Sequence, residues 1–90
     1  MKEIVLDGKL MQTRASAHAY LKAAFRFPDY YGGNLDALYD LLTEMRRQEL
    51  TVTLINGDIL RNALGDYGEE IVSCFTDAFT RKGGAVFREE

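Results

Sequence analysis

Two aspartates four positions apart, Asp36 and Asp40, are the side chains of this sequence whose type and spacing are most informative about chemistry. In a helix they lie on one face, together with Tyr39 and Thr43. Paired carboxylates can act as general acid and base, but they can equally present negative charge to a basic partner. Two tyrosines precede them at 30–31, and exposed aromatic rings beside acids are typical of a protein-binding surface. The pattern favours binding, with a passively solvated acidic helix as the alternative.

The other candidates for catalysis are single residues. The sequence has one histidine, His18, and one cysteine, Cys74, which excludes histidine-rich metal clusters, two-histidine ribonuclease chemistry, multi-thiolate zinc sites and an internal disulfide. We interpret His18 as a surface or hydrogen-bonded residue and Cys74 as a small core or boundary residue. The pair Gly32-Gly33 follows no predicted strand and has no lysine beside it, unlike a phosphate-binding loop. We therefore expect no catalytic residue, no metal site and no cofactor.

The formal net charge of −3 is unevenly distributed along the chain. Residues 1–28 carry five basic and two acidic side chains, residues 29–77 carry three basic and ten acidic ones, and residues 78–90 carry three basic and two acidic ones. Such an acidic middle segment repels phosphates and attracts basic surfaces. It predicts a basic protein partner and no direct binding of nucleic acid, while a solvated acidic surface is the plainer interpretation.

The composition is that of a globular chain. Of its 90 residues, 47% are apolar and 28% charged, close to the averages for soluble domains. No run approaches the roughly 18 apolar residues that a membrane span needs, and residues 1–10 lack the apolar stretch of a signal peptide. We expect a single domain over residues 1–90, no membrane contact and, from the one cysteine, a reducing and cytoplasmic location.

The elements that position the acidic pair follow from apolar periodicity and from capping residues. Strands are predicted over Lys2–Asp7, Leu50–Ile55 and 85–87, and helices from the N-cap Thr13 to Arg26, from the N-cap Asn34 to about Arg47, from the N-cap Asp58 to about Leu64, and from a capping box at Asp66 and Glu69 to Gly83. The buried stripe of the second helix is predicted to be Leu38, Leu41, Leu42 and Met45. Strands separated by helices imply crossovers and a parallel sheet. The fold class is α/β, with a three-stranded parallel sheet packed with four helices.

Residues 27–40, FPDYYGGNLDALYD, closely resemble the signature of the barstar family, the intracellular inhibitors of the ribonuclease barnase. The similarity is long and ungapped, and a weaker one covers nearly the whole chain, including the fourth predicted helix with Phe75 and Asp77. The resemblance implies a three-stranded parallel sheet with four helices. It also implies an intracellular inhibitor whose second helix and preceding loop plug the active site of a secreted, basic, barnase-like ribonuclease.

The resemblance further implies which side chains contact the ribonuclease. The carboxylate of Asp40 would occupy a substrate-phosphate site and face arginine and histidine groups, and Asp36 would pair with other basic groups. The remaining partner-binding positions would be Tyr30, Gly32, Asn34, Tyr39, Thr43 and Asp77. An acid fits a phosphate site because both present negatively charged oxygen acceptors to a guanidinium fork.

Three positions depart from the family pattern. Tyr39 stands where a tryptophan is usual, Gly33 where a glutamate is usual, and Arg81 where an acid is usual. Charges at the rim of an interface tune association rate and partner choice, so we expect a ribonuclease with its own charge pattern. The alternative is a non-catalytic adaptor of the same fold that binds another basic protein, since function resides in the site rather than in the fold. A small enzyme using Asp36 and Asp40 would need a deep pocket.

Overall fold

The computed structural model describes residues 2–44, 49–82 and 84–90. Its elements are, in chain order, β1 (Lys2–Asp7), a short 3-10 helix (Gly8–Leu10), α1 (Arg14–Phe25), α2 (Leu35–Glu44), β2 (Leu50–Ile55), α3 (Gly57–Leu64), α4 (Asp66–Lys82) and β3 (Ala85–Glu89). The strands are parallel, in the order β1-β2-β3. Within the described residues, the predicted fold of a three-stranded parallel sheet and four α-helices is confirmed.

The central strand β2 pairs with a neighbouring strand at each of its edges, and its core-facing side chains are buried. Leu50, Val52 and Leu54 are at most 2% exposed and point to one face of the sheet. The register aligns Val52 with Ile4 of β1 and with Phe87 of β3, so that these three side chains share the same face. The helices pack on this apolar face.

The helices pack their apolar stripes onto that face of the sheet. Their side chains that are no more than 1% exposed include Leu21 of α1, Leu38 and Leu42 of α2, Leu60 of α3, and Ile71 and Phe75 of α4. Burying one such side chain contributes about 1.5–3 kcal/mol. The predicted buried stripe of α2 is confirmed for Leu38 and Leu42. Leu41 is half-buried and also packs against the core. Met45 and the predicted extension of α2 to Arg47 lie outside the described residues.

The ends of α1 and the start of α2 are as predicted. Thr13 Oγ1 accepts a hydrogen bond of 3.0 Å from the Ser16 amide, and Ser16 Oγ accepts one of 3.1 Å from the Thr13 amide. After α1 the chain turns at Arg26, which has a left-handed conformation with a φ of 56°. At the start of α2, Asn34 Oδ1 accepts a hydrogen bond of 2.8 Å from the Ala37 amide. This cap fixes where α2 begins, and therefore which side chains its first turn presents.

The start of α3 differs from the prediction. The helix begins at Gly57, so the N-cap position is Asn56 and not Asp58, which lies exposed in the first turn. The reason is a distant contact, because Asn56 Nδ2 donates a hydrogen bond of 2.9 Å to Asp7 Oδ1 of β1. That contact accompanies a left-handed backbone at Asn56, with a φ of 56°, which turns the chain directly into the helix.

The predicted capping box of α4 is also wrong. Asp66 is the first helical residue rather than the N-cap, and the carbonyl of Gly65 accepts from the amides of Gly68 and Glu69, at 3.0 and 3.3 Å. Gly65, with a φ of 58°, lets the chain pass from α3 to α4 in one residue. The closing strand β3 runs two residues further than predicted, to Glu89, because it stays in register with β2.

Thr53 gives a prediction about stability. It lies on the face of β2 opposite the core, is only 4% exposed, and its Oγ1 has no hydrogen-bond partner among the described residues. A buried hydroxyl without a partner costs about 1–3 kcal/mol. We expect Thr53→Val, which keeps the side-chain shape, to raise the free energy of unfolding by about 1 kcal/mol in a urea titration. The control Thr51→Val, half-buried on the same face, should change it less, and a loss of stability in Thr53→Val would contradict the interpretation.

Candidate functional site

The loop between α1 and α2 is anchored by its aromatic residues. Phe27 is buried, and its ring centroid lies 4.9 Å from that of Tyr31, which is half-buried. The neighbouring Tyr30 is 79% exposed. One tyrosine of the tandem therefore holds the loop to the core, and the other is presented to solvent.

His18 of α1 fixes the position of this loop. Its Nδ1 lies 2.6 Å from the hydroxyl oxygen of Tyr31, and its Nε2 lies 2.6 Å from that of Tyr67 in α4. A neutral imidazole donates from one ring nitrogen and accepts at the other, so both contacts can be hydrogen bonds. The predicted hydrogen-bonded role is confirmed, whereas a surface position is wrong: His18 is 5% exposed, because the loop and α4 close over it. Burial lowers the pKa of His18 and raises the pKa values of Tyr31 and Tyr67, so all three groups stay neutral.

The two aspartates of α2 point to solvent because the leucines on the other side of the helix are buried. Asp36 lies in the first turn, where the helix dipole favours a negative charge, and Asp40 lies one turn later. No basic side chain among the described residues comes within ion-pair distance, 4.0 Å, of either carboxylate. Within the described part of the chain, both charges are therefore available to a partner.

Tyr39 and Thr43 lie on the same side of α2 but are half-buried. Tyr39 packs partly against the core. Thr43 Oγ1 lies within hydrogen-bond distance of the carbonyl oxygens of Tyr39 and Asp40, at 3.0 and 2.9 Å, so its proton is used inside the helix. The predicted face of two acids, a ring and a hydroxyl thus presents mainly its two carboxylates, and Thr43 can only accept a hydrogen bond from a partner.

A groove of about 210 Å³ between the loop and α2 brings three of the predicted residues together, namely Tyr30, Gly32 and Asp40. The absence of a side chain at Gly32 lets the loop approach the start of α2 closely. A Cβ at position 32 would lie only 3.3 Å from Nδ2 of Asn34, the residue that caps α2. The loop and the helix therefore form one continuous surface at Asp40.

The exposed Asp77 of α4 belongs to the same part of the surface as Asp36. Between them lies the buried Cys74, whose Sγ is 3.8 Å from the carbonyl oxygen of Leu35 at the start of α2. Burial, and then the nearby carboxylates of Asp77 and Asp36, raise the pKa of Cys74 to about 11. The prediction of a core or boundary residue is confirmed for Cys74, and a thiol that stays protonated at neutral pH is a poor nucleophile. Arg81 is exposed one helical turn beyond Asp77.

Sequence reasoning missed two residues beside the site, Arg14 and Tyr67. The guanidinium carbon of Arg14 lies 4.1 Å from the ring centroid of Tyr67. Tyr67 lies one turn before the buried Ile71, and this spacing indicates that the apolar face of α4 begins before Ile71. No local pattern indicates which arginine would stack on that ring.

The described residues include no group of three or more His, Cys, Asp or Glu side chains that could hold a metal ion. No helix in this part of the chain combines the length and apolar character needed to cross a membrane.

Comparison with known proteins decides the family. The sequence model described as Barstar (barnase inhibitor) matches residues 1–88. The chain belongs to the barstar family. A relative from Bacillus subtilis (strain 168), named "Putative ribonuclease inhibitor YrdF", is 37% identical over 78 residues, which are 87% of this chain and 86% of the relative. The predicted resemblance is confirmed, and family and relative together support the role of a ribonuclease inhibitor for this barstar-family chain.

The buried, neutral His18 makes the protein sensitive to acid. Its pKa in the folded state lies below the ordinary value of 6.5, so the unfolded chain takes up the proton first. The stabilisation is complete above pH 6.5 and is lost as the pH falls toward the folded-state pKa. We expect the free energy of unfolding, measured with urea, to be lower at pH 5.5 than at pH 7.5.

The variant His18→Gln identifies the responsible group, since glutamine keeps a polar side chain but does not titrate. Its stability should be lower than that of the wild type at pH 7.5, because the two tyrosine hydroxyls lose their fitted partner. Its free energy of unfolding should change less between pH 7.5 and 5.5. An equal decrease in both proteins would show that His18 is not the group that titrates.

Proposed function

We propose that this protein acts in the cytoplasm as an inhibitor of a secreted, basic, barnase-like ribonuclease, and that it inserts α2 and residues 27–34 into the active site of the enzyme. The observation that carries the proposal is the pair of exposed carboxylates, Asp36 and Asp40, beside the exposed ring of Tyr30. A site that binds RNA needs cationic groups for the phosphates. A carboxylate placed there meets the same groups with the same kind of oxygen acceptor.

Each acid has a different setting in this proposal. Asp40 shares the groove of Tyr30 and Gly32, so a basic group that reaches it is enclosed by the loop on one side. Asp36 projects from the first turn of α2 and pairs with a second basic group. Asp77 adds a carboxylate from α4 at the edge of the surface. Two helices thus contribute acids to a single binding surface, and the loop borders one of these acids, Asp40.

Three other residues support this surface. Asn34 acts through the cap of α2, which sets the direction of Asp36 and of the helix as a whole. Tyr39 offers the exposed part of a ring that is otherwise packed on the core, next to Asp40. Thr43 offers a hydrogen-bond acceptor one turn further along. The hydrogen bonds and packing that already hold these groups reduce the entropy lost when they meet the enzyme.

The charge distribution gives the surface a long-range attraction. The segment 29–77, with ten acidic and three basic side chains, contains every acid of the proposed surface. Attraction between oppositely charged proteins raises association rates. Fast capture suits an inhibitor that protects the cell in which a toxic enzyme is made.

Replacing Asp40 is the direct test of the proposal. Immobilised wild-type protein should capture a ribonuclease from the culture medium of the source organism, detected by RNA cleavage after elution. With that ribonuclease, we expect Asp40→Asn to weaken binding by about 2–5 kcal/mol in a calorimetric titration. The cause is a basic group of the enzyme that is left buried without its partner.

The control is Asp58→Asn, which removes an exposed aspartate from the first turn of α3, outside the proposed surface. Its affinity should match that of the wild type within a factor of about two, since isolated surface charges contribute little. Equal losses in Asp40→Asn and Asp58→Asn would overturn the proposed site. Capture of a basic protein without ribonuclease activity would favour the adaptor.

Salt dependence tests the electrostatic part of the proposal. Between 50 and 500 mM NaCl, we expect the association rate constant to fall at least about tenfold, because salt screens attraction between exposed charges. The dissociation rate should change much less, since the pairs in the formed complex are shielded from solvent. Surface plasmon resonance with the captured ribonuclease measures both rates. An association rate independent of salt would contradict electrostatic steering.

A further inference from the structure

A stacked arginine lies next to the acidic surface. Arg14, the first residue of α1, holds its guanidinium carbon 4.1 Å from the ring centroid of Tyr67 in α4. The ring is itself fixed, because the hydroxyl of Tyr67 lies 2.6 Å from Nε2 of the buried His18. The contact therefore joins two helices, and it restricts a side chain that would otherwise be free to move.

The charge of Arg14 is not neutralised by the described part of the chain. No carboxylate there comes within ion-pair distance, 4.0 Å, of its guanidinium, although some described acids, such as Asp29 and Glu69, form ion pairs with other basic side chains. Stacking on an aromatic ring uses the flat face of the guanidinium and leaves its N–H edge free. Arg14 thus combines a restricted position with unused hydrogen-bond donors.

Arg14 and Asp36 line the same groove, of about 460 Å³, which opens between α1, α2 and α4. Gly33, Asn34 and Tyr67 also line this groove. One wall of this groove is therefore cationic and another is anionic. A partner that approaches Asp36 with a basic group brings its neighbouring side chains to Arg14.

We propose that Arg14, held by Tyr67, is a specificity-determining contact that binds a carboxylate of the ribonuclease, next to the basic group that pairs with Asp36. This inference rests on the proposed function and adds the requirement of an acidic side chain on a basic enzyme. An arginine that loses water in an interface without gaining an acceptor weakens binding. Arg14 therefore selects against ribonucleases whose surface is basic throughout this region, which is how specificity between related partners arises.

The geometry favours a carboxylate as the ligand. A guanidinium presents two parallel N–H groups whose spacing matches the two oxygens of a carboxylate, and a lysine in its place keeps the charge but loses this fork. Arg14→Lys is therefore the sharpest variant, because it preserves the net charge at an exposed position.

The test uses the ribonuclease captured by the wild-type protein and measures dissociation constants by calorimetry. We expect Arg14→Ala and Arg14→Lys each to raise the dissociation constant by about 10- to 100-fold, the range of a charge-assisted hydrogen bond. Tyr67→Leu should bind more weakly than Tyr67→Phe, because both variants lose the hydroxyl that contacts His18 and only leucine also removes the ring that holds the guanidinium. The control Lys9→Ala, which removes an exposed cation from the short 3-10 helix, should leave the dissociation constant unchanged.

The acceptor on the enzyme is found by replacing its exposed acids one at a time with amides. For the acid that binds Arg14, the amide substitution combined with Arg14→Ala should weaken binding no more than either substitution alone. If Arg14→Ala binds as tightly as the wild type or more tightly, while Asp40→Asn has lost affinity, the role of Arg14 is wrong and the proposed function stands. If Asp40→Asn also keeps full affinity, the proposed function itself fails.

Discussion

The two hydrogen bonds of His18 are the constraint on which the candidate site depends. A buried imidazole left without partners would cost about 1–3 kcal/mol for each unsatisfied nitrogen, so the fold must bring a polar group to both sides of the ring. Tyr31 and Tyr67 do so, and they come from the loop before α2 and from α4. Because Tyr31 is adjacent to Tyr30, the bond that satisfies the histidine also sets where the exposed ring lies. One buried group of α1 thereby ties the loop before α2 to the start of α4.

The second helix combines a stabilising face with a destabilising one. Its acids, Asp36 and Asp40, are like charges one turn apart, an arrangement that costs a few tenths of a kcal/mol. On the opposite side, Leu38 and Leu42 are fully buried, which contributes about 1.5–3 kcal/mol each. The core therefore offsets the repulsion several times over. The helix remains folded while it holds two carboxylates that no described residue neutralises, and that is the condition for a surface that binds a basic partner.

The limits of sequence reasoning follow from the distance over which each feature is determined. Strands, helices and the cap at Asn34 depend on neighbouring residues, and their positions could be predicted from apolar periodicity and capping rules. The predicted start of α3 was wrong because Asn56 forms a hydrogen bond with Asp7, which lies 49 residues away in the sequence. The burial of His18 was missed because Tyr67, also 49 residues away, covers it. The acidic pair of α2 was visible as a local spacing, whereas Asp77 entered only through the family resemblance. The stacking of an arginine on α4 has no local signal at all.

In the proposed function, different parts of this surface attract partners and select among them. The field of the acidic segment acts over a Debye length, about 8 Å at physiological salt, and draws in any basic protein without distinguishing among such proteins. Distinction requires groups that help one partner and oppose another. Arg81 stands one turn from Asp77 on the same side of α4, so a positive charge borders the acids there as well. A border made of acids alone would attract more strongly and discriminate less, because every basic enzyme would fit it. In the proposed function, the cations beside the acidic surface therefore lower the general attraction and raise the discrimination among partners, which an inhibitor directed at one enzyme requires.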